Sequence, residues 1–236
     1  MNSFPEPQRV PVPKGEWFRI IPSQYPPIQV FEDIYESAEE FALAAAIEGM
    51  TNSRLQQEMG NLRRVPKEAW RSGPGMSVVM APFIYLHDEA RFSDATYGAY
   101  YAAGSIETAI EESAYHRARF LSCTNQPNQR VTMRVYSGSI TGDVVSIEAS
   151  PFAFLLRPTS TYRESQEFAR AQRELGVDGI LYSSVRDEGG RCIAVFCPSC
   201  VHAPKQRMHL EYIYDAREQR IRDVLDISRR DRNESH

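Results

Sequence analysis

The spacing of apolar residues first indicates helix in the region from Ser37 to about Met59. Apolar side chains recur there at i, i+4 and i+7: Leu43, Ile47 and Met50, with Phe41 and Ala44 beside them. This period predicts one or two helices, with Asn52 or Ser53 capping the second. The run SVVMAPFIYL that follows, at 77–86, predicts a strand or a buried extended segment.

Seven other segments are typical of strands, because they alternate apolar with polar positions or are rich in β-branched and aromatic residues. They are WFRII (17–21), ATYGAYYAA (95–103), VTMRVYSGSI (131–140), GDVVSI (142–147), GILYSSV (179–185), RCIAVF (191–196) and RMHLEYIYD (207–215). The residues RDEGG between the fifth and sixth segments predict a hairpin or a short loop. REQRIRDV, after the last, predicts a second closing element.

Two further segments have the period of a helix. Ser105 is a good N-cap, and the residues after it place one apolar face on a helix: Ile106, Ala109, Ile110 and Ala114. Glu112 and His116 are four residues apart and share a different face. Residues 162–174 predict an amphipathic helix as well. Because helices interrupt a largely antiparallel strand pattern, we expect an α+β fold in one domain.

The two ends of the chain differ in composition from the middle. Residues 1–16 are rich in proline and poor in apolar side chains, which predicts an extended, mobile arm. The charged residues at 226–236 predict a disordered tail. Between them, residues 17–225 are expected to form the domain, with a helical insert at about 35–75.

The overall composition is that of an ordinary globular protein and narrows the function classes. Of 236 residues, 42% are hydrophobic and 25% are charged, and no apolar run is long enough to cross a bilayer. The start of the chain has no apolar segment of the signal-peptide kind, so the expected location is the cytoplasm. A net charge of −4 argues against direct binding to nucleic acid, which needs a clustered basic surface, but leaves a nucleotide ligand open.

The stretch RFSDATYGAYYAAGSIETAIEESAYHR, at 91–117, holds the strongest candidate chemistry. Arg91 offers a fork of donors suited to phosphate, and Tyr101 offers a flat face for a heteroaromatic ring. Glu112 supplies a carboxylate that can stabilise positive charge developing on a sugar. Together these residues indicate a site for a dinucleotide that is cut rather than only held.

Three of the four cysteines are close together in the sequence. The motif CPSC at 197–200, with Cys192 before it and His202 after it, is similar to a zinc half-site or a thiol pair. A structural zinc site needs four ligands, and this set would have to include Cys192 from a predicted strand. We therefore expect no metal, and the role of the cysteines stays open.

Taken in order, these blocks resemble the RES-domain family, the toxins of bacterial toxin–antitoxin pairs. WFRII resembles the opening strand of the family and RFSD its arginine block. YYAAGSIETAIEESAYHR resembles the tyrosine and glutamate block, and GVDGILYSSVRDEGGRCIAVF the serine block. The resemblance covers about residues 17–214, and four blocks in order are more specific than any one of them.

The resemblance implies a fold similar to that of ADP-ribosyltransferases, with small antiparallel sheets and flanking helices around an NAD cleft. It implies that residues 17–225 form a catalytic domain that breaks NAD⁺ at the nicotinamide–ribose bond, by phosphorolysis or hydrolysis. The residues carried over as catalytic are Arg91, Tyr101, Glu112 and Ser184, and those carried over as substrate-binding are Arg19 and His116.

The resemblance also implies a partner, an antitoxin protein with a helix-turn-helix domain, and leaves open a homodimer within their complex. NAD⁺ is then a substrate and inorganic phosphate a candidate co-substrate, with no cofactor and no contact with a membrane. Two alternatives remain: a mono-ADP-ribosyltransferase that modifies a protein, and a catalytically silent interaction module.

Overall fold

The computed structural model of the chain describes residues 4–25, 27, 29–51, 65–86, 90–157 and 161–228. Within these ranges the strands are β1 (Gln8–Pro11), β2 (Trp17–Pro22), β3 (Tyr100–Ala103), β4 (Gln129–Ile140), β5 (Asp143–Ser146), β6 (Gly179–Ser183), β7 (Arg191–Val195), β8 (Val201–Asp215) and β9 (Arg220–Asp226). The helices are α1 (Gln29–Glu32), α2 (Ala38–Thr51), α3 (Met76–Ile84), α4 (Ile106–Cys123) and α5 (Arg163–Glu174). Short 3₁₀ turns occupy Lys67–Ala69, Phe152–Leu156 and Pro198–Cys200.

The strands form one mixed sheet with helices on its faces. Its order is β1-β5-β6-β7-β3-β2-β4-β8-β9, and every neighbouring pair is antiparallel except β5 and β6, which are parallel. The expectation of separate small sheets is therefore wrong, because β2 and β3 hydrogen-bond and join the two groups of strands. Mixed α and β structure in a largely antiparallel arrangement is confirmed.

The join between β2 and β3 is the weakest point of the sheet. These strands share one register pair, Phe18 with Ala103, whereas β2 pairs with β4 at six positions and β3 with β7 at four. Beyond this pair the two strands part, and Arg19 Nη1 donates a hydrogen bond across the gap to the carbonyl oxygen of Tyr101, at 2.9 Å. We call this gap the split. It separates the β1-β5-β6-β7-β3 group of strands from the β2-β4-β8-β9 group inside a single sheet.

Opposite faces of the sheet carry different helices. Val79 of α3 packs in one core cluster with Tyr100 and Ala102 of β3, while Ala109 of α4 packs in another with Ala103. Alternate residues of a strand point to opposite faces, so α3 and α4 lie on opposite sides of the split. A third cluster lies between α4 and the β4–β8 pair.

Helix α3 corrects the prediction of a strand or extended segment at 77–86. Consecutive valines and Pro82 favour extended structure, and a short apolar run has no period that would distinguish strand from helix. Tertiary contacts decide the outcome, since the carboxylate of Glu32 accepts hydrogen bonds from the backbone N–H groups of Gly75 and Ser77 at the start of the helix, at 2.6 and 3.0 Å. The buried side of α3 then packs on the sheet.

The predicted helix in the 37–59 region is confirmed as α2, although the face that it buries is different. Phe41 and Ala45 are buried, whereas Leu43 and Ile47 are 62% and 59% exposed. The proposed caps at Asn52 and Ser53 lie outside the described residues, as does the part of the predicted tail beyond residue 228.

The predicted N-terminal arm contains a strand of the sheet. Gln8–Pro11 form β1, which pairs with β5, and the ring of Phe4 packs edge-on against Phe168, with centroids 5.4 Å apart. The predicted closing elements are the β8–β9 hairpin, whose first strand begins at Val201, earlier than the predicted residue 207. Among the described residues, no helix is both long and apolar enough to cross a membrane.

Candidate active site

A cleft of about 480 Å³ opens at the split, on the side covered by α4. Six of its lining residues are ones that the sequence analysis named as candidates: Arg19, Arg91, Tyr101, Glu112, His116 and Cys192. Ser184 does not line the cleft itself but donates a hydrogen bond to Glu112, which does. Residues from β2, β3, α4 and β7 therefore meet in one place, although they are up to 173 positions apart in the sequence (Arg19 to Cys192).

Glu112 is the only carboxylate among the described residues that line this cleft. It lies in the second turn of α4, and its Oε1 accepts a hydrogen bond of 2.6 Å from Ser184 Oγ. The thiol of Cys192 on β7 lies 4.0 Å from the same oxygen as a second, weaker donor. Burial raises the pKa of Cys192, and the nearby Glu112 adds to the effect, so this group remains a neutral thiol.

Ser184 is held by the loop that follows β6. Its Oγ accepts hydrogen bonds from the backbone N–H groups of Arg186 and Asp187, at 3.1 and 3.0 Å. With both acceptor positions used in this way, the hydroxyl hydrogen is directed to Glu112. The loop therefore fixes both the position of the serine and the direction in which it donates.

The same loop is tied to the start of α4. The carboxylate of Asp187 accepts a 2.6 Å hydrogen bond from Thr108 Oγ1. Ser105, the predicted N-cap, accepts from the Thr108 backbone N–H at 3.1 Å, which confirms the cap. Helix and loop are thus joined at two points, Thr108 with Asp187 and Glu112 with Ser184, one helical turn apart.

Arg19 and Tyr101 form the wall of the cleft at the split. The guanidinium of Arg19 lies 4.8 Å from the ring centroid of Tyr100, and its burial lowers the pKa of Arg19. The hydroxyl of Tyr101 accepts from the Phe92 backbone N–H at 3.0 Å and shares a 3.1 Å hydrogen bond with Ser93 Oγ. Burial raises the pKa of Tyr101 to about 12, so it stays protonated in the physiological range.

Arg91 lines the cleft, but part of its guanidinium is committed to the protein. Its Nη1 donates to the carbonyl oxygens of Leu155 and Arg157, at 2.7 and 3.3 Å, and its guanidinium carbon lies 5.0 Å from the ring centroid of Tyr162. The side chain is 9% exposed. Arg91 therefore joins the 3₁₀ turn at Phe152–Leu156 to the cleft as well as presenting positive charge there.

His116 follows Glu112 by one turn of α4 and lines the same cleft. Partial burial lowers the pKa of His116, and nearby arginines, including Arg186, lower it further. The negative charge of Glu112 acts in the opposite direction and raises this pKa. We therefore expect a neutral imidazole at pH 7, which can accept or donate a hydrogen bond.

Sequence reasoning missed three arginines of the cleft: Arg117, Arg119 and Arg186. The guanidinium carbon of Arg186 lies 3.5 Å from the ring centroid of Tyr115. The signal for Arg186 was present, since it follows Ser184 by two residues in the loop. With Arg19 and Arg91, the described lining carries five arginines and one glutamate, so the cleft suits a ligand with several negative charges.

The cysteines do not come together as one cluster. Cys192 is directed to Glu112 on the α4 side. Cys197 and Cys200 both pack in the core cluster of the α3 side, where their thiols contact each other. Within the described ranges, no group of three or more histidine, cysteine, aspartate or glutamate side chains is placed to hold a metal ion.

Comparison with known proteins gives matches of three kinds. The family model described as the RES domain matches residues 62–215. The uncharacterized protein y4oC of Sinorhizobium fredii (strain NBRC 101917 / NGR234) is 29% identical over 203 residues, which is 86% of this chain and 84% of that protein. Among solved structures, the crystal structure of the M. tuberculosis MbcT-MbcA toxin-antitoxin complex matches 58% of this chain and 78% of its own, with 10% identity and a TM-score of 0.38.

Proposed function

Because this chain belongs to the RES domain family, we propose that it is an NAD⁺-degrading toxin of a toxin–antitoxin pair. The reaction is cleavage of the bond between nicotinamide and ribose, with transfer of the ADP-ribosyl group to phosphate or water. The observation that carries the proposal is the 2.6 Å hydrogen bond from Ser184 to Glu112, beside a cleft in which the other charged lining residues that the structure describes are arginines.

This arrangement matches the charge that develops when the bond breaks. The electron pair of the bond moves to the positively charged pyridinium nitrogen, which leaves as neutral nicotinamide, while positive charge develops on the ribose. No general acid is needed for the leaving group. A fixed carboxylate beside the anomeric carbon stabilises this state, and Glu112 is held in place for that role by Ser184 and Cys192.

The arginines would serve the negative parts of the substrate. NAD⁺ carries a pyrophosphate, and charge-assisted hydrogen bonds from guanidinium groups are suited to hold it. Arg19 and Arg91 each use Nη1 to donate to main-chain carbonyl oxygens, so their remaining guanidinium nitrogens share this task with Arg186 in the proposal. An incoming phosphate would also be held by guanidinium groups. In phosphorolysis a phosphate oxygen forms the new bond to the anomeric carbon of the ribose as the bond to nicotinamide breaks. In hydrolysis a water oxygen forms this bond and the water loses a proton.

The partner in this proposal is an antitoxin with a helix-turn-helix domain that covers the cleft. The net charge of −4 is consistent with this proposal, because an acidic chain is unsuited to bind operator DNA and the antitoxin would make that contact. The protein would then act in the cytoplasm, where NAD⁺ is available.

Purified protein incubated with NAD⁺ is expected to release nicotinamide in amounts equal to the NAD⁺ lost. The products are separated by chromatography with and without inorganic phosphate. A phosphorylated ADP-ribose formed only with phosphate identifies phosphorolysis, and free ADP-ribose identifies hydrolysis. Transfer of labelled ADP-ribose to added cell proteins, with little free product, would instead support a mono-ADP-ribosyltransferase, and no nicotinamide release under any of these conditions would contradict the proposal.

Removal of the serine hydroxyl by Ser184→Ala is expected to lower kcat by roughly 10- to 100-fold, because a hydrogen bond to a charged group is worth about 1.5–3 kcal/mol. KM for NAD⁺ should change little, since the lost contact orients Glu112 rather than the substrate. The matched control is Ser183→Ala, the preceding residue, which does not line the cleft. Equal losses in both variants would mean that the hairpin, and not the hydrogen bond to Glu112, matters.

A further inference from the structure

A second cavity, of about 780 Å³, lies on the α3 side of the split and is larger than the cleft. Six of the described residues line both cavities: Arg19, Ile21, Pro22, Tyr25, Ala90 and Tyr101. They therefore meet where β2 and β3 part, with Arg19 and Tyr101 between them. We call this second cavity the tyrosine chamber.

The lining of the tyrosine chamber is rich in flat aromatic side chains. The described lining includes five tyrosines: Tyr25, Tyr85, Tyr97, Tyr101 and Tyr136. The hydroxyl of Tyr136 donates to Gln206 Oε1 at 3.2 Å, which fixes this ring against β8. A volume within the usual range for small-molecule sites, together with several aromatic walls, suits a planar heteroaromatic ligand.

The charges of the chamber favour an anion at the same time. Among the lining residues that the structure describes, the cationic ones are Arg19, Arg134 and Lys205. Two carboxylates also belong to the described lining: Glu32, which accepts hydrogen bonds from backbone N–H groups at the start of α3, and Asp94, which forms an ion pair with Arg170 at 2.5 Å. The formal charge of the described lining residues is therefore positive, which together with the tyrosines suits an aromatic base joined to phosphate.

We propose that the tyrosine chamber binds the adenosine half of the dinucleotide while the cleft binds the nicotinamide riboside half. This inference rests on the proposed function. A dinucleotide consists of two nucleosides joined by a pyrophosphate, and the structure offers two adjoining cavities with an arginine, Arg19, at the place where they meet. The smaller cavity holds Glu112 and so receives the bond that breaks.

The test fills the chamber and compares two substrates. Ala81 on α3 lines the chamber, is only partly buried and does not line the cleft, so Ala81→Phe places a ring in the chamber without touching Glu112. Nicotinamide mononucleotide has the same scissile bond but no adenosine half. For Ala81→Phe we expect KM for NAD⁺ to rise by about tenfold or more, while kcat/KM for nicotinamide mononucleotide stays within about twofold of the wild type.

AMP supplies an independent measurement. It should compete with NAD⁺ in the wild type and in the control Ala81→Ser, and should lose this effect in Ala81→Phe. Equal losses for both substrates, or an unchanged KM for NAD⁺ in a folded Ala81→Phe protein, would overturn the assignment of the chamber. If the wild type cleaves neither substrate, the proposed function fails, and calorimetry with AMP still decides the chamber: binding that Ala81→Phe abolishes supports it, and no binding to the wild type rejects it.

Discussion

Replacement of Glu112 by glutamine is expected to lower kcat for NAD⁺ cleavage by about three orders of magnitude. A charge pair at about 4 Å is worth roughly 4 kcal/mol at an effective dielectric constant near 20, and each 1.36 kcal/mol changes a rate tenfold. Glutamine keeps the shape and an acceptor for the Ser184 hydroxyl, so the variant removes the charge and little else. Nicotinamide release under saturating NAD⁺ measures the effect.

The matched control is Glu111→Gln, since Glu111 is the preceding residue of α4, is exposed and does not line the cleft. It should keep wild-type turnover and the same melting temperature. In cells that lack an antitoxin, the wild type and Glu111→Gln should deplete NAD⁺ and arrest growth, whereas Glu112→Gln should do neither. Full turnover by a folded Glu112→Gln protein would rule out the charge-stabilisation mechanism.

The sequence predicts most of the secondary structure because its periods are strong. The alternation at 131–135 and the capped apolar face after Ser105 reappear as β4 and α4. The join of the strands into one sheet could not be predicted, since it depends on a single pair, Phe18 with Ala103, between segments far apart in the chain. Helix α3 was missed for a related reason, because its start is stabilised by Glu32, a residue distant in the sequence.

The candidate site was predicted in its residues but not in its connections. Spacing and resemblance indicated Glu112 and Ser184, and the structure brings their side chains to 2.6 Å. Sequence alone could not show that Arg91 donates to carbonyl oxygens of the 3₁₀ turn at Phe152–Leu156, or that Cys192 faces Glu112, because both contacts depend on tertiary packing. The catalytic and binding roles assigned to these residues stay predictions until the variants are measured.

The position of β3, which carries Tyr101, depends on a close approach of two main chains. Gly98 precedes this strand by two residues, and a Cβ atom there would lie 1.8 Å from the carbonyl oxygen of Pro82 and 2.9 Å from the Cα of Phe83, both in α3. Backbone atoms cannot move aside as the end of a flexible side chain can. The contact therefore requires glycine, and any substitution must push α3 away from the sheet.

Gly98→Ala is expected to lower the free energy of unfolding by about 3 kcal/mol or more, at the upper end of overpacking effects. For a chain of this size that corresponds to a fall in melting temperature of roughly 6–12 °C. The control is Gly104→Ala at the other end of β3, where the nearest atom to a new Cβ is 3.6 Å away, an ordinary contact. This variant should stay within about 0.5 kcal/mol of the wild type in urea unfolding.

The glycine variants also distinguish the roles of the two cavities in binding, because Gly98 lines the tyrosine chamber and does not line the cleft. At a temperature where Gly98→Ala is still folded, displacement of α3 should weaken binding of AMP while cleavage of nicotinamide mononucleotide continues. If instead Gly98→Ala were as stable as Gly104→Ala, the main chains of α3 and of the residues before β3 would not be in contact as described. The wall of the chamber would then have a different shape, and its assignment to the adenosine half would lose its structural basis.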